Sequence, residues 1–220
     1  MRQHVVTHNW FAVGIDVLIV FIGVFLGIQA NNWNEARLAE AGARADRIRL
    51  LEDLRTNEVD LAGRIVYYKS VREHALKALK GFSSAEAELD EAFLVSAYQA
   101  SQIRQRPVRS FTYDELVATG SLARIGSQEL RRQLDLYHLG LSSINANLRD
   151  VPPYRDRIRR VMPYIVQERI RSRCGEQTRE VNGAVIRTLP LSCRVGLDGE
   201  VIASALIRLR AAPEMELDLT

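Results

Sequence analysis

Asp16 is the one ionisable side chain inside an otherwise apolar run, Trp10–Ala30, WFAVGIDVLIVFIGVFLGIQA. An ionised carboxylate is costly in hydrocarbon. An acid there faces a partner or a polar cavity, or it sits close enough to the interface to be wetted or protonated. Gly23 and Gly27 form a GxxxG, the spacing that lets two helix backbones approach closely. Asp16 precedes them by seven and eleven residues, on a neighbouring face of a helix. Glycine is common in membrane helices, so the GxxxG alone says little. Asp16, Gly23 and Gly27 are the candidate contact with an intramembrane partner, a second copy of the chain or another membrane protein.

Cys174 and Cys193 are the only cysteines, and they flank a turn-like segment. Such an isolated pair suits a disulfide, which persists in oxidising compartments. It would close a loop of about 20 residues, a link credited with roughly 3 kcal/mol in the chain-entropy model. The alternative is two buried thiols. Neither cysteine belongs to a CxxC and no histidine lies nearby, so zinc is not expected.

Arg155, Arg157, Arg159, Arg160, Arg169, Arg171 and Arg173 crowd one segment against only Asp156 and Glu168. This basic patch suits anionic lipid headgroups, an acidic partner or nucleic acid. Its ordinary reading is a solvated helix face. Nucleic acid is not expected, because stacking aromatics are sparse. His74 and His138 are isolated and read as histidines without chemistry. No nucleophile elbow, phosphate loop, metalloprotease helix or dinucleotide fingerprint is present. No catalytic, cofactor or metal residue is assigned.

The elements that position these residues begin with a span. A bilayer crossing needs roughly 20 mostly apolar residues in a helix, which satisfies its own backbone. Trp10 and Trp33 are the interface anchors at its two ends. Signal-peptide cleavage wants small residues at −3 and −1. Cutting after Ala30 places Ile28 at −3, and cutting after Gly27 places Phe25 there, so an uncleaved anchor is expected.

Orientation is contested. Arg2 precedes the span, while Arg37, Arg44, Arg47 and Arg49 follow it, a count that puts the large domain in the cytoplasm. The cysteine pair points to the periplasm, and we weight it slightly more.

The net charge is +3, with lysine only at Lys69, Lys77 and Lys80. Beyond the span about 190 residues remain, enough for one domain with a real core or two small ones. Past Asn31, apolar residues at three- and four-residue spacing predict an amphipathic helix to about Lys80. They include Leu38, Ala41, Ala45, Ile48, Leu51, Leu54, Leu61, Ile65, Tyr68, Val71, Ala75 and Leu79. Gly81 is the expected stop. A second helix is predicted over 85–103, opened by a Ser83/Glu86 capping box. Thr112 with Glu115 forms another box, for a short helix ending at Gly120. Ser127 is the expected N-cap of a helix through Arg149. Pro152-Pro153 starts one to about Arg173, kinked near Pro163. Asn182-Gly183 between short apolar runs signals a hairpin. The last helix is expected over 199–210, followed by a frayed tail.

The expected fold is mainly α. One N-terminal transmembrane helix (10–30, after a tail, 1–9) continues into a stalk-like amphipathic helix (31–82). A helical bundle domain (83–220) with a small β-hairpin near the C-terminus completes it.

Two segments resemble an uncharacterised family of bacterial single-pass membrane proteins. One runs from Gly14-Ile15-Asp16 through Gly23 to Gln29-Ala30-Asn31-Asn32-Trp33-Asn34-Glu35. Such proteins carry an acid early in the span and Gln-x-Asn-Asn-Trp-Asn-Glu where the helix leaves the membrane. The other is Thr112 to Leu122, with Ile125, Leu130-Arg131 and Tyr137. It is similar to the family's Glu-Leu-x-x-x-Gly-x-Leu-x-x-Ile segment. The resemblance covers about a quarter of the chain. It implies one anchor in the bacterial inner membrane and a helical extramembrane domain, and it implies no activity.

The function expected from these features is protein interaction or sensing at the membrane. The alternatives are a membrane-tethered enzyme with a non-motif active site, and an oligomeric structural scaffold.

Overall fold

A computed structural model describes residues 10–85, 89–181, 184–212 and 214–219. Among these the chain is mainly helical, with one small sheet. Helix α1 is Trp10–Phe82, 73 residues without a break. No proline falls inside it, so every turn can keep its hydrogen bond. It is long and apolar enough to cross a membrane, and its apolar window is unburied. Six helices follow: α2 Glu91–Gln99, α3 Phe111–Ala118, α4 Gln128–Asn147, α5 Pro153–Val161, α6 Tyr164–Arg173 and α7 Gly199–Arg210. Strands β1 Gln177–Val181 and β2 Ala184–Thr188 pair antiparallel, Gln177 opposite Thr188. The expected Asn182-Gly183 turn lies outside the described residues.

The chain forms two compact units. The first contains residues up to Leu51 together with Thr112–Arg132, and the second Glu52–Phe111 with Gln133–Thr220. Residues 52–82 of α1 therefore share a unit with 83–111 and 133–220, and residues up to Leu51 share one with 112–132.

In the first unit the buried apolar residues are Ala43, Leu50, Leu116 and Ile125. Arg49 joins α1 to α3, donating to Glu115 at 2.8 Å and to Asp46 at 2.6 Å. Gly120 takes φ 68°, the left-handed conformation that glycine tolerates best, and ends α3 as expected. Ser127 Oγ accepts from the Leu130 N–H, the expected cap of α4.

The second unit is built around α2, whose residues Phe93 to Gln99 are all buried. It packs against α5, α6 and α7. Tyr154, Ile158, Met162, Val166 and Ile170 complete the core with Leu206, Leu209 and Met215.

Several expectations need correction. Helix α2 is nine residues long, and its start is set by Asp90, whose Oδ1 accepts from the Ala92 and Phe93 N–H groups. The Ser83/Glu86 box includes Glu86, outside the described residues. Helix α3 begins at Phe111, so Thr112 lies within its first turn and does not cap it. The 153–173 segment is two helices parted at Met162-Pro163, since proline lacks the N–H a continuous helix needs. Gly81 lies inside α1, where an added Cβ would collide with the Phe93 ring. The tail is packed: Met215 is 3 % exposed, and Arg157 pairs with Glu214 and Asp218.

The largest correction concerns α1. Its face buried in the second unit carries Asn57, Arg64, Tyr67, Ser70, His74 and Ala78. Leu38, Ile48, Leu51 and Ile65, expected on a covered apolar face, are exposed.

Candidate functional site

The first candidate is a face of α1. Every residue from Val13 to Leu38 is exposed, and nothing lies within 4 Å of a Cβ built at Gly23 or Gly27. At 3.6 residues per turn, steps of seven and eleven fall within about 20° of whole turns, so Asp16 lies between the two glycines in azimuth. The same face continues through Ala30, Asn34 and Leu38 to Ala41, Ala45 and Ile48, all exposed. It extends over roughly 48 Å at about 1.5 Å per residue. Ala43 and Leu50, buried in the first unit, lie on the opposite side of the helix. Trp33, the expected interface anchor, is exposed. Trp10 is the first residue of α1, and its side chain lies outside the described residues. Asn31 donates to Glu35 at 2.7 Å one turn later.

The second candidate was missed in the sequence. In the second unit, α1 presents polar groups that hold two non-helical segments by their main chain. Asn57 donates to the Arg109 carbonyl at 2.8 Å and accepts its N–H at 3.2 Å. Asn145 of α4 does the same for Val108. Asp60 binds Arg64 and Arg106, both at 2.8 Å. Further along, the Ser70 hydroxyl accepts from Leu189 N–H, and Lys77 donates to Leu191 O. His74 Nε2 lies 3.1 Å from Pro190 O. A carbonyl only accepts, so Nε2 carries the proton. Burial, with a smaller push from Lys77, holds the His74 pKa below its usual value against the Pro190 hydrogen bond. A clue was the three- and four-residue spacing of polar residues at 57, 60 and 64, and again at 70, 74 and 77.

Beside Asn57 lies a cavity of about 340 Å³, lined by Thr56, Asp60, Arg106, Arg109 and Asn145 among others. Both guanidinium partners already engage the Asp60 carboxylate. This chemistry fixes the 106–109 segment and leaves Asp60 poorly placed as a base.

The predicted basic patch divides. Arg157 is neutralised by Glu214 and Asp218. Arg160 lines a shallow cavity of about 690 Å³ with Pro153, Asp156 and Ala212. Arg155 and Arg159 turn toward the C-terminus of α2, and Arg171 lies 5.5 Å from the Tyr164 ring centroid. Arg169 is partly exposed and Arg173 exposed. Cys174 and Cys193 are disulfide-bonded, with Cα atoms 5.8 Å apart, and β1 and β2 lie inside the closed loop. His138 stacks edge-on against Tyr137. Among the described residues no cluster of histidine, cysteine or acidic side chains fits a metal ion.

No protein-family model, curated protein or solved structure matches the chain.

Proposed function

We propose that this chain is a single-pass protein of the bacterial inner membrane, anchored by residues 10–30, that works by binding another protein through α1. The carrying observation is the uncovered face from Asp16 to Ile48, which joins an acid in the apolar run to small residues outside it. An acid exposed to lipid is stabilised by a neighbouring helix, and glycines let that helix approach. A second copy is the occupant to test first, since each copy would bring the same acid and the same glycines. The disulfide favours a periplasmic domain. Membership of the single-pass family belongs to the same proposal and rests on residues 14–35 and 112–137.

The test is cysteine crosslinking of the full chain in native membranes, with single cysteines at positions 20 and 41 in a Cys174→Ala/Cys193→Ala background. Crosslinked pairs that disappear in Gly23→Leu/Gly27→Leu are expected. A protein that stays monomeric, or pairs unchanged by both leucines, overturns the second copy as occupant, and the absence of a crosslinked product with any protein overturns the reading. Thiol labelling of Cys174 and Cys193 in intact cells, before and after reduction, tests the compartment.

A further inference from the structure

Helix α5 brings Arg155 and Arg159, one turn apart, onto one residue at the end of α2. Arg155 donates to the Ser101 carbonyl at 2.6 Å, and Arg159 Nε donates to the Ser101 hydroxyl at 3.3 Å. Arg159 also donates to the Tyr98 hydroxyl at 2.7 Å and to Gln102 Oε1 at 3.2 Å, and it lies 4.2 Å from the Tyr98 ring centroid. Each of these acceptors is neutral. Among the described residues no carboxylate forms an ion pair with Arg155, Arg159 or Arg171, whereas Arg157 on the same helix has two.

The charges do not balance. A helix C-terminus offers roughly half a negative charge. Two full positive charges converge on it, and like charges at i,i+4 repel. Arg171, on α6, adds positive charge that is felt at Arg159. Burial lowers the Arg159 pKa despite the favourable Tyr98 contact, and repulsion from Arg155 and Arg171 lowers it further. A guanidinium has five N–H donors. Arg159 uses three of them in the contacts above and Arg155 one, so spare donors remain beside the uncompensated charge.

We propose that Arg155 and Arg159, with Arg171 contributing charge from α6, form a binding site for a compact oxyanion of the phosphate class. Planar guanidinium forks match the oxygens of such an anion, and these charge-assisted bonds are the strong ones. The anion supplies the negative charge that the α2 terminus lacks. The same chemistry is present in a free phosphate and in a phospholipid headgroup.

The test uses the full chain in uncharged detergent. Inorganic phosphate is compared with chloride at matched ionic strength, and unfolding is followed by fluorescence. A saturable rise in the unfolding midpoint with phosphate alone is expected. Arg159→Gln also disturbs the α2 terminus, so the deciding variant is Arg171→Gln, whose guanidinium lies 5.5 Å from the Tyr164 ring centroid. It should weaken phosphate affinity by about tenfold or more. Arg157→Gln, whose charge is already paired, should leave that affinity unchanged. Nanodiscs of phosphatidylglycerol and of phosphatidylcholine separate the sources. A shift with inorganic phosphate assigns a free anion, and a shift only with phosphatidylglycerol assigns a headgroup. No shift in any arm overturns the site, as does an equal shift in wild type and Arg171→Gln.

Discussion

Asn145 holds both main-chain polar groups of Val108: it accepts the Val108 N–H at 2.8 Å and donates to its carbonyl at 3.2 Å. Asn57 treats Arg109 in the same way. Two consecutive residues outside any sheet thus find side-chain amides where a neighbouring strand would supply peptide groups. This satisfies part-buried main chain that has no ladder partner.

Replacing either asparagine should therefore cost more than an ordinary surface change. Asn145→Ala leaves the Val108 N–H and carbonyl unpaired, a loss of about 1–3 kcal/mol. Asn145→Asp keeps the acceptor and loses the donor, so it should cost less. Urea unfolding measures both, and hydrogen exchange should quicken first at Val108 and Arg109. Equal stabilities for wild type and Asn145→Ala would show the clamp to be idle.

His74 predicts a slope of stability with pH. Its folded pKa lies below the unfolded value of about 6.5. Above that value the ring is neutral in both states and stability is full. As pH falls below about 6.5 the unfolded chain takes a proton that the folded chain refuses, so stability declines until the folded pKa is passed. Denaturant midpoints at pH 7 and pH 5 should differ in wild type, and less so in His74→Gln.

Glu91 gives a second slope at lower pH. Burial opposes its charge, but the N–H groups of Leu197, Val195 and Gly196, aided by Arg194, outweigh burial and hold its pKa below the usual value. The stabilisation is present above the unfolded pKa of about 4.3 and is lost as pH falls through the folded one. Glu91→Gln should be less stable than wild type at pH 7, with the gap closing in acid. A gap that persists there would point to packing and not charge.

Gly81→Ala should destabilise although alanine is the better helix former. The new methyl meets the Phe93 ring in the core of the second unit. Overpacking of this kind costs about 1–3 kcal/mol. Gly42→Ala is the control: nothing lies within 4 Å of its Cβ, so helix propensity should win and stability should rise. Calorimetry of the two variants gives opposite signs if the contact matters.

Much of the fold was legible where local chemistry decides it. The apolar start of α1 follows from one long apolar run, α4 from the Ser127 cap, and α7 from its pattern between Gly199 and Arg210. The hidden face of α1 was not legible, because a periodic search looks for leucine and finds Leu54, Leu61 and Ile65. Beside Tyr67 and Ala78, the buried positions there are the polar Asn57, Arg64, Ser70 and His74. They are buried because they bond main chain at 106, 109 and 189–190, and no local pattern brings those segments to α1. The packed tail was hidden for a similar reason: Met215 reaches the core across a long sequence separation. In the basic patch, composition counted seven arginines, yet only partners distant in sequence separate the neutralised Arg157 from Arg155 and Arg159.

One consequence attaches to α1 having no proline and no break. Along a straight helix, chain length is angle: deleting one residue between Asn34 and Leu38 turns Ala41 and Ala45 by about 100° away from the azimuth of Asp16. Deleting seven, such as residues 31–37, is close to two turns and nearly restores it. Crosslinking at position 41 that oscillates with deletion length, and does not fade steadily, would be the signature of a contact set by rotational phase.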